Sequence, residues 1–266
     1  NPISANMQTN MSHVALEILS GVPVGFTLGL IGGGGSILAV PLMVYLVGVK
    51  DPHVAIGTSA LAVAVNALAG LVQHARSGTV QWRCAAVFAP CGMIGAIGGA
   101  WLGKAMDGQR LLLLFAFLMI GVGVTMLRGR RETDCEKTSY APKNIVKIAG
   151  FGAGTGLLSG FFGIGGGFLI VPGLMASTHM PIINAVSTSL VAVAAFGFST
   201  ALSYLLSGYI DWGLAIFFIL GGIIGTYSGS YCARVLCKKG CHLTTIFSSI
   251  IFTVAVYMIW RGFQTL

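Results

Sequence analysis

Charge is what this chain has least of. Only 8% of its 266 residues are Asp, Glu, Lys or Arg, against about 25% in a soluble domain. From Ile148 to Ile210 there is none at all. No stretch is polar enough for a separate soluble domain. Acidic residues number seven against fifteen basic ones, a net charge of +8. The basic residues sit at the ends of apolar runs and in loops, as in membrane proteins, so the excess is not a nucleic-acid footprint. Six cysteines are too few for a disulfide scaffold. Cys84, Cys91 and Cys232 lie in apolar runs as small core residues, and the segment Cys237 to His242 reads as a loop rather than a metal cluster. No HExxH or Gly-x-Ser-x-Gly pattern occurs in an apolar run, so no enzyme and no metal or other cofactor is expected. No Gly-x-x-x-x-Gly-Lys-Ser/Thr loop occurs, so the chain carries no ATP motor. No basic stretch precedes the first apolar run, whose first charge is Glu17, so a cleavable signal peptide is not expected.

What remains is apolar. Hydrophobic residues make up 55% and mean hydropathy is +0.88. The run Val54–Gln81, charged only at Arg76, and the uncharged runs Cys84–Gly103, Leu111–Leu127, Trp212–Ala233 and Leu243–Trp260 each have the length of a membrane span, about 20 residues. The expected fold is an all-α multi-pass membrane protein. Its parts are a polar, loose tail (1–13), a first membrane repeat (14–127), a cytoplasmic linker (128–147) and a second membrane repeat (148–266).

Val14–Val49 is 36 residues long, too long for one crossing and short for two. It contains the glycine-rich stretch with Gly32-Gly33-Gly34-Gly35 that closes at Pro41, and Lys50-Asp51-Pro52 ends it. Glycine weakens a helix by about 1 kcal/mol against alanine, so two limbs meeting at these glycines fit the segment better. The device returns: Gly25, Gly29, Gly32, Gly34, Gly35 and Pro41 reappear as Gly156, Gly160, Gly163, Gly165, Gly166 and Pro172, all shifted by 131. Further on the offset is 130. Ala55-Ile56-Gly57-Thr58-Ser59 matches Ala185-Val186-Ser187-Thr188-Ser189, Ser77-Gly78 matches Ser207-Gly208, and Trp82 matches Trp212. Gly92, Gly95 and Gly99 match Gly222, Gly225 and Gly229 at helix-packing spacing, and Gly92, Gly95, Gly222 and Gly225 are assigned to packing.

If each glycine segment turns back to its starting side, the halves are inverted. The linker side then collects eleven Lys and Arg against four, a stronger positive-inside bias than the nine against six of a parallel arrangement. This predicts inverted repeats, a cytoplasmic linker and both termini outside. Irregular backbone at membrane depth survives only where protein or a water-filled cavity surrounds it. Limbs restarting at Ser36 and Gly167 would present helix N-termini, whose free amides and positive dipole end suit an anion. The substrate-binding candidates are Gly32, Gly33, Gly34, Gly35, Ser36, Gly163, Gly165, Gly166 and Gly167, with hydroxyls from Thr58, Ser59, Thr188 and Ser189. Membrane Ser and Thr also commonly bond their own helix. Asn66, where the second half has Phe196, either faces the cavity or bridges helices. His74 and Arg76 read as interface anchors. His53 and His179 could relay protons or simply sit in loops.

The glycine-rich segment ending in Pro, the Ala-x-x-Thr-Ser after it, the Ser-Gly-x-x-x-Trp step and their duplication resemble the sulfite exporter TauE/SafE family. The resemblance runs from about Gly21 to Phe263. It implies an inner-membrane carrier of sulfite, sulfonates or related sulfur oxyanions. By position it places the site at Gly32–Ser36, Thr58, Ser59, Gly163, Gly165–Gly167, Thr188 and Ser189. The expected partners are a small sulfur-containing anion and the lipid bilayer, with room for a coupling proton or ion and none for nucleic acid. An anion channel with the same glycine constriction, or a carrier of another small organic anion, is the rival reading.

Overall fold

The computed structural model describes residues 2–128, 145–162, 167–178, 180, 182–238, 252–253, 255–256 and 260. Among these residues there is no strand. The α-helices are α1 (Pro2–Ile31), α2 (Ala39–Pro41), α3 (Pro52–Arg76), α4 (Trp82–Lys104), α5 (Gly108–Arg128), α6 (Ile145–Phe162), α7 (Gly167–Thr178), α8 (Ile182–Leu205) and α9 (Trp212–Lys238). A 3-10 helix, Gly32–Leu38, separates α1 from α2, and a π-helix, Leu42–Val47, follows α2. The expected tail is therefore helical from Pro2, not loose. The linker residues 129–144 and most of the last expected span, Leu243–Trp260, lie outside the described residues.

The helix ends follow local chemistry. Asp51 caps α3: its carboxylate accepts the His53 amide at 2.9 Å, with Pro52 in the first turn, where a missing N–H costs nothing. The helix stops at Arg76 rather than at Gln81, because Gly78 takes φ +68° and turns the chain. Gly208, its repeat partner, takes φ +76° before α9. Trp82 and Trp212 open α4 and α9 and are more than half exposed, as aromatics at a membrane interface are.

Among the described residues, five helices are long and apolar enough to cross a membrane: α3, α4, α6, α8 and α9. The apolar pieces Ser36–Val47 and Leu169–Thr178 are shorter. At 1.5 Å per residue they reach about 18 and 15 Å, roughly half of a 30 Å hydrocarbon core. The most apolar windows of α3 and α8 are 67% and 78% buried, against 33–50% for α4, α6 and α9, so α3 and α8 form the centre. They run antiparallel. Gly70 lies beside Leu190, and Gly197 beside Ala60 and Ala64. His74 near the end of α3 meets Ser187 near the start of α8.

Around this pair the halves exchange partners. The first limb of each half packs on the fourth element of the other: α1 on α9 and α6 on α4. A Cβ on Gly25 would collide with the Gly222 carbonyl, and one on Gly156 with the Gly92 carbonyl. These are the same contact under the repeat offsets. Gly221, Gly225 and Gly229 abut the carbonyls of Ile18, Val22 and Phe26, and Gly95, Gly99 and Gly103 abut those of Ala153, Leu157 and Phe161. The packing role expected for these glycines is what the structure contains. Gly156→Ala and Gly25→Ala should each force two backbones apart and lower the thermal midpoint in detergent by several degrees. Gly98→Ala and Gly154→Ala, which meet nothing within 4 Å, should leave it unchanged.

Candidate substrate site at the broken helix

The break falls at Gly32. Its φ of +68° lies in the left-handed region that side chains disfavour. The next turn does not open as a loop: the glycines wind into the 3-10 helix, and the Ala39 amide bonds the Ser36 carbonyl. The second limb therefore begins at Gly32 rather than at Ser36, as a run of 3-10, α and π turns instead of a regular helix. Gly48, at φ +84°, closes it. In the second half α6 ends at Phe162 and α7 starts at Gly167, as expected. Gly163, Gly165 and Gly166 lie outside the described residues, as does His179.

The broken segment is buried: Ile37, Ala39 and Met43 are fully enclosed. It packs against α7 and the start of α8, so elements of both halves meet there. A Cβ on Gly32 would come within 2.6 Å of the Val186 carbonyl and 2.8 Å of Ser189 Oγ. The Gly33 amide donates to Ser189 Oγ at 3.0 Å, while that hydroxyl donates to the Val186 carbonyl at 2.7 Å. The amide is thus not bare, as a free helix N-terminus would be. A hydroxyl oxygen from the other half already accepts from it. Ser36, fully buried, donates to the Gly33 carbonyl at 2.9 Å.

The remaining candidates divide. Thr188 Oγ1 accepts the Gln81 amide at 3.0 Å, and Thr58 Oγ1 accepts the Asp211 amide at 3.1 Å. These are repeat-related bonds, and each caps the turn that opens a helix of the other half. Both threonines are latches between halves, turned away from the break. Ser59 donates to its own helix, at Ile56 O, 3.0 Å away. Asn66 is fully buried against Gly222, and neither amide atom finds a partner among the described residues. Its repeat partner Phe196 stands against Gly92. The sequence reading missed the weight of Ser187. Its position reads Gly57 in the first half, so the repeat concealed a third consecutive hydroxyl in Ser187-Thr188-Ser189.

A half-length broken segment, buried and held by the opposite half of a duplicated helical bundle, is transporter architecture. The family described as Sulfite exporter TauE/SafE matches residues 17–258. The chain belongs to the sulfite exporter TauE/SafE family. It is similar to a probable membrane transporter protein of Xylella fastidiosa, strain Temecula1, with 50% identity over 96% of this chain and 98% of that one. The probable membrane transporter protein YunE of Bacillus subtilis is 26% identical over 95% of this chain and 99% of its own length. One from Methanocaldococcus jannaschii, MJ0441, is 25% identical over 92% and 94%. No solved structure matches. As a TauE/SafE member, the chain is a membrane transporter with several membrane-crossing helices.

Ser189→Ala should leave the buried Gly33 amide without its acceptor, at a cost of about 1–3 kcal/mol. Differential scanning in detergent measures it. Ser59→Ala, whose hydroxyl bonds only its own helix among the described contacts, should cost less.

Proposed function

We propose that this TauE/SafE member is a secondary transporter of the inner membrane that exports sulfite or a related small sulfur oxyanion or organosulfonate. The anion binds near mid-depth at the Gly32–Ser36 turn. The observation that carries this reading is the Gly33 amide held by Ser189. A hydroxyl oxygen there occupies the position that an oxyanion oxygen would take, so substrate and Ser189 compete for one donor. Such an exchange keeps a buried amide satisfied with and without substrate. Asn66 offers a carboxamide donor and acceptor that find no partner among the described residues. No basic side chain lies in the segment, which favours release as well as binding.

The two halves insert in opposite orientation. Support comes from the antiparallel course of the repeat-related helices α3 and α8, since repeats related by an axis along the membrane normal would run parallel. The short second limbs and the Lys and Arg distribution agree with it. The linker is then cytoplasmic and the termini outside. By the repeat offsets, Gly163, Gly165, Gly166 and Gly167 are the second half's binding candidates, with Ser59 the counterpart of Ser189. Thr58 and Thr188 hold the halves together.

The test is flux into proteoliposomes with sulfite, thiosulfate, sulfate and methanesulfonate. Wild-type protein should show saturable uptake and counterflow for at least one of them. Gly34→Val, Gly166→Val and Asn66→Leu should each cut uptake at least tenfold, while Thr58→Val should retain it. Normal uptake in both valine variants would place the site elsewhere, and large single-channel currents would make the protein a channel.

A further inference from the structure

We propose that Lys104 and the hydroxyl of Tyr204 form a second anion site, at the mouth of the bundle opposite the linker, where a small oxyanion is held on its way through. The proposal rests on the transporter reading above and adds to it a site outside the glycine turn.

Lys104 lies in the last turn of α4. Among the described side chains it is the one Lys or Arg that is not exposed. Its ammonium donates to the Ser203 carbonyl at 3.0 Å and to the Ser207 hydroxyl at 3.1 Å, and stands 5.8 Å from the centre of the Tyr204 ring. All three partners are neutral. A cation drawn out of water is normally matched by an anion. The C-terminal end of the α8 dipole offers only about half a negative charge. The acids at this end, Asp51, Asp107 and Asp211, are exposed. Asp51 and Asp211 each use a carboxylate oxygen to accept a backbone amide at a helix start. No carboxylate bonds the Lys104 ammonium among the described residues.

Tyr204 is the second, independent observation. It is fully buried, yet its hydroxyl has no hydrogen-bond partner among the described residues. A buried tyrosine hydroxyl ordinarily finds one. The same holds for His53 Nδ1, also buried and without a partner there. The rings of His53, Tyr204 and Tyr209 stand 5.6, 6.3 and 6.4 Å apart, at the corners of a nearly equilateral triangle. Gly57 makes room for them: a Cβ there would collide with the Tyr209 carbonyl and come within 2.9 Å of Tyr204 Cβ. An unmatched cation and an unspent O–H donor therefore belong to one cluster. A lysine that only capped α8 would need neither the ring nor the hydroxyl. An oxyanion uses both, accepting a charge-assisted bond from Nζ and a neutral one from the Tyr204 hydroxyl.

The cluster lies where α4 ends and α5 begins, beside the contact of Gly108 with Pro52. The linker follows the other end of α5. With the halves inserted as proposed, this mouth is the outer one, so the site receives the anion last on export. The repeat counterpart of Lys104 at the offset of 130 is Arg234. Each half thus places a basic residue at the same point of its fourth element, and inversion puts one at each mouth.

The experiment uses the full chain with thiosulfate, a dianion, and methanesulfonate, a monoanion. Equilibrium exchange in proteoliposomes needs substrate at both mouths, so mixed insertion does not blur it. Lys104→Gln removes the charge and keeps a donor. It should raise the half-saturating thiosulfate about tenfold and methanesulfonate about threefold, because attraction scales with the anion's charge. Lys104→Arg should keep both near wild type. Tyr204→Phe removes a hydroxyl without a protein partner, so the thermal midpoint should hold or rise while half-saturation rises about threefold or more for both anions. Equal effects of Lys104→Gln on the two anions, or unchanged half-saturation in Tyr204→Phe, would overturn the proposal. In ¹⁵N-lysine-labelled protein in dodecyl maltoside, the ammonium signal identified by its loss in Lys104→Arg should shift on adding thiosulfate at constant ionic strength. A shift with phosphatidylglycerol but not with thiosulfate would make Lys104 a lipid anchor and overturn the site, as would no shift with either. Absence of exchange for every anion in wild-type protein would sink the transporter reading, and the Lys104 signal would still decide whether an anion binds there.

Discussion

A backbone amide inside a membrane protein must have an acceptor, and for Gly33 that acceptor comes from the other half of the chain. The break at Gly32 interrupts the helical ladder in apolar surroundings, where an orphaned N–H is expensive. Ser189 removes the cost at 3.0 Å. The bond therefore does two things at once. It permits irregular backbone at depth, and it makes the geometry of that backbone depend on how the halves sit against each other. At the proposed site, a substrate that took over the amide would change the contact between the halves as a direct result of binding.

The interfaces that allow such dependence are built from glycine. The α1–α9 and α4–α6 pairs approach so closely that carbonyls of one helix occupy the space a Cβ would need on its neighbour. Contacts of this kind have no long side chains to interlock. They rely on shape and dispersion at short range, which suits surfaces that rest firmly together. The antiparallel α3–α8 pair crosses the centre and carries polar links, at Ser187, Thr188 and Thr58. Division of labour is clear: glycine sets the spacing, and hydroxyls set the register.

Much of this could be read from residues alone. Absent charge and long apolar runs gave the class, and the 131 and 130 offsets in glycine and tryptophan positions gave the duplication. Those signals are legible because lipid tolerates few alternatives. The packing glycines were recognisable because their spacing matches a helical face. What the residues could not reveal was direction. Thr58 and Thr188 have the chemistry of ligands, yet their hydroxyls point at the turns before α9 and α4, and only three-dimensional placement distinguishes a cap from a ligand. The 3-10 winding of Gly32–Leu38 was equally hidden, since a glycine run is compatible with a loop, a turn or a tight helix. The early end of α3 follows from Gly78, whose left-handed φ outweighed the apolar continuation to Gln81.

The place where the duplication fails has a consequence of its own. Asn66 presses on Gly222, while its counterpart Phe196 presses on Gly92 and stacks on Phe88 with ring centroids 6.0 Å apart. A carrier assembled from two identical, oppositely inserted halves would have inward-open and outward-open forms related by a two-fold rotation and equal in free energy. One wedge here is aromatic and dry, the other a carboxamide that craves a partner. With the halves inserted as proposed, the two forms would be unequal before any gradient acts, and the empty protein would have a preferred side on which to wait.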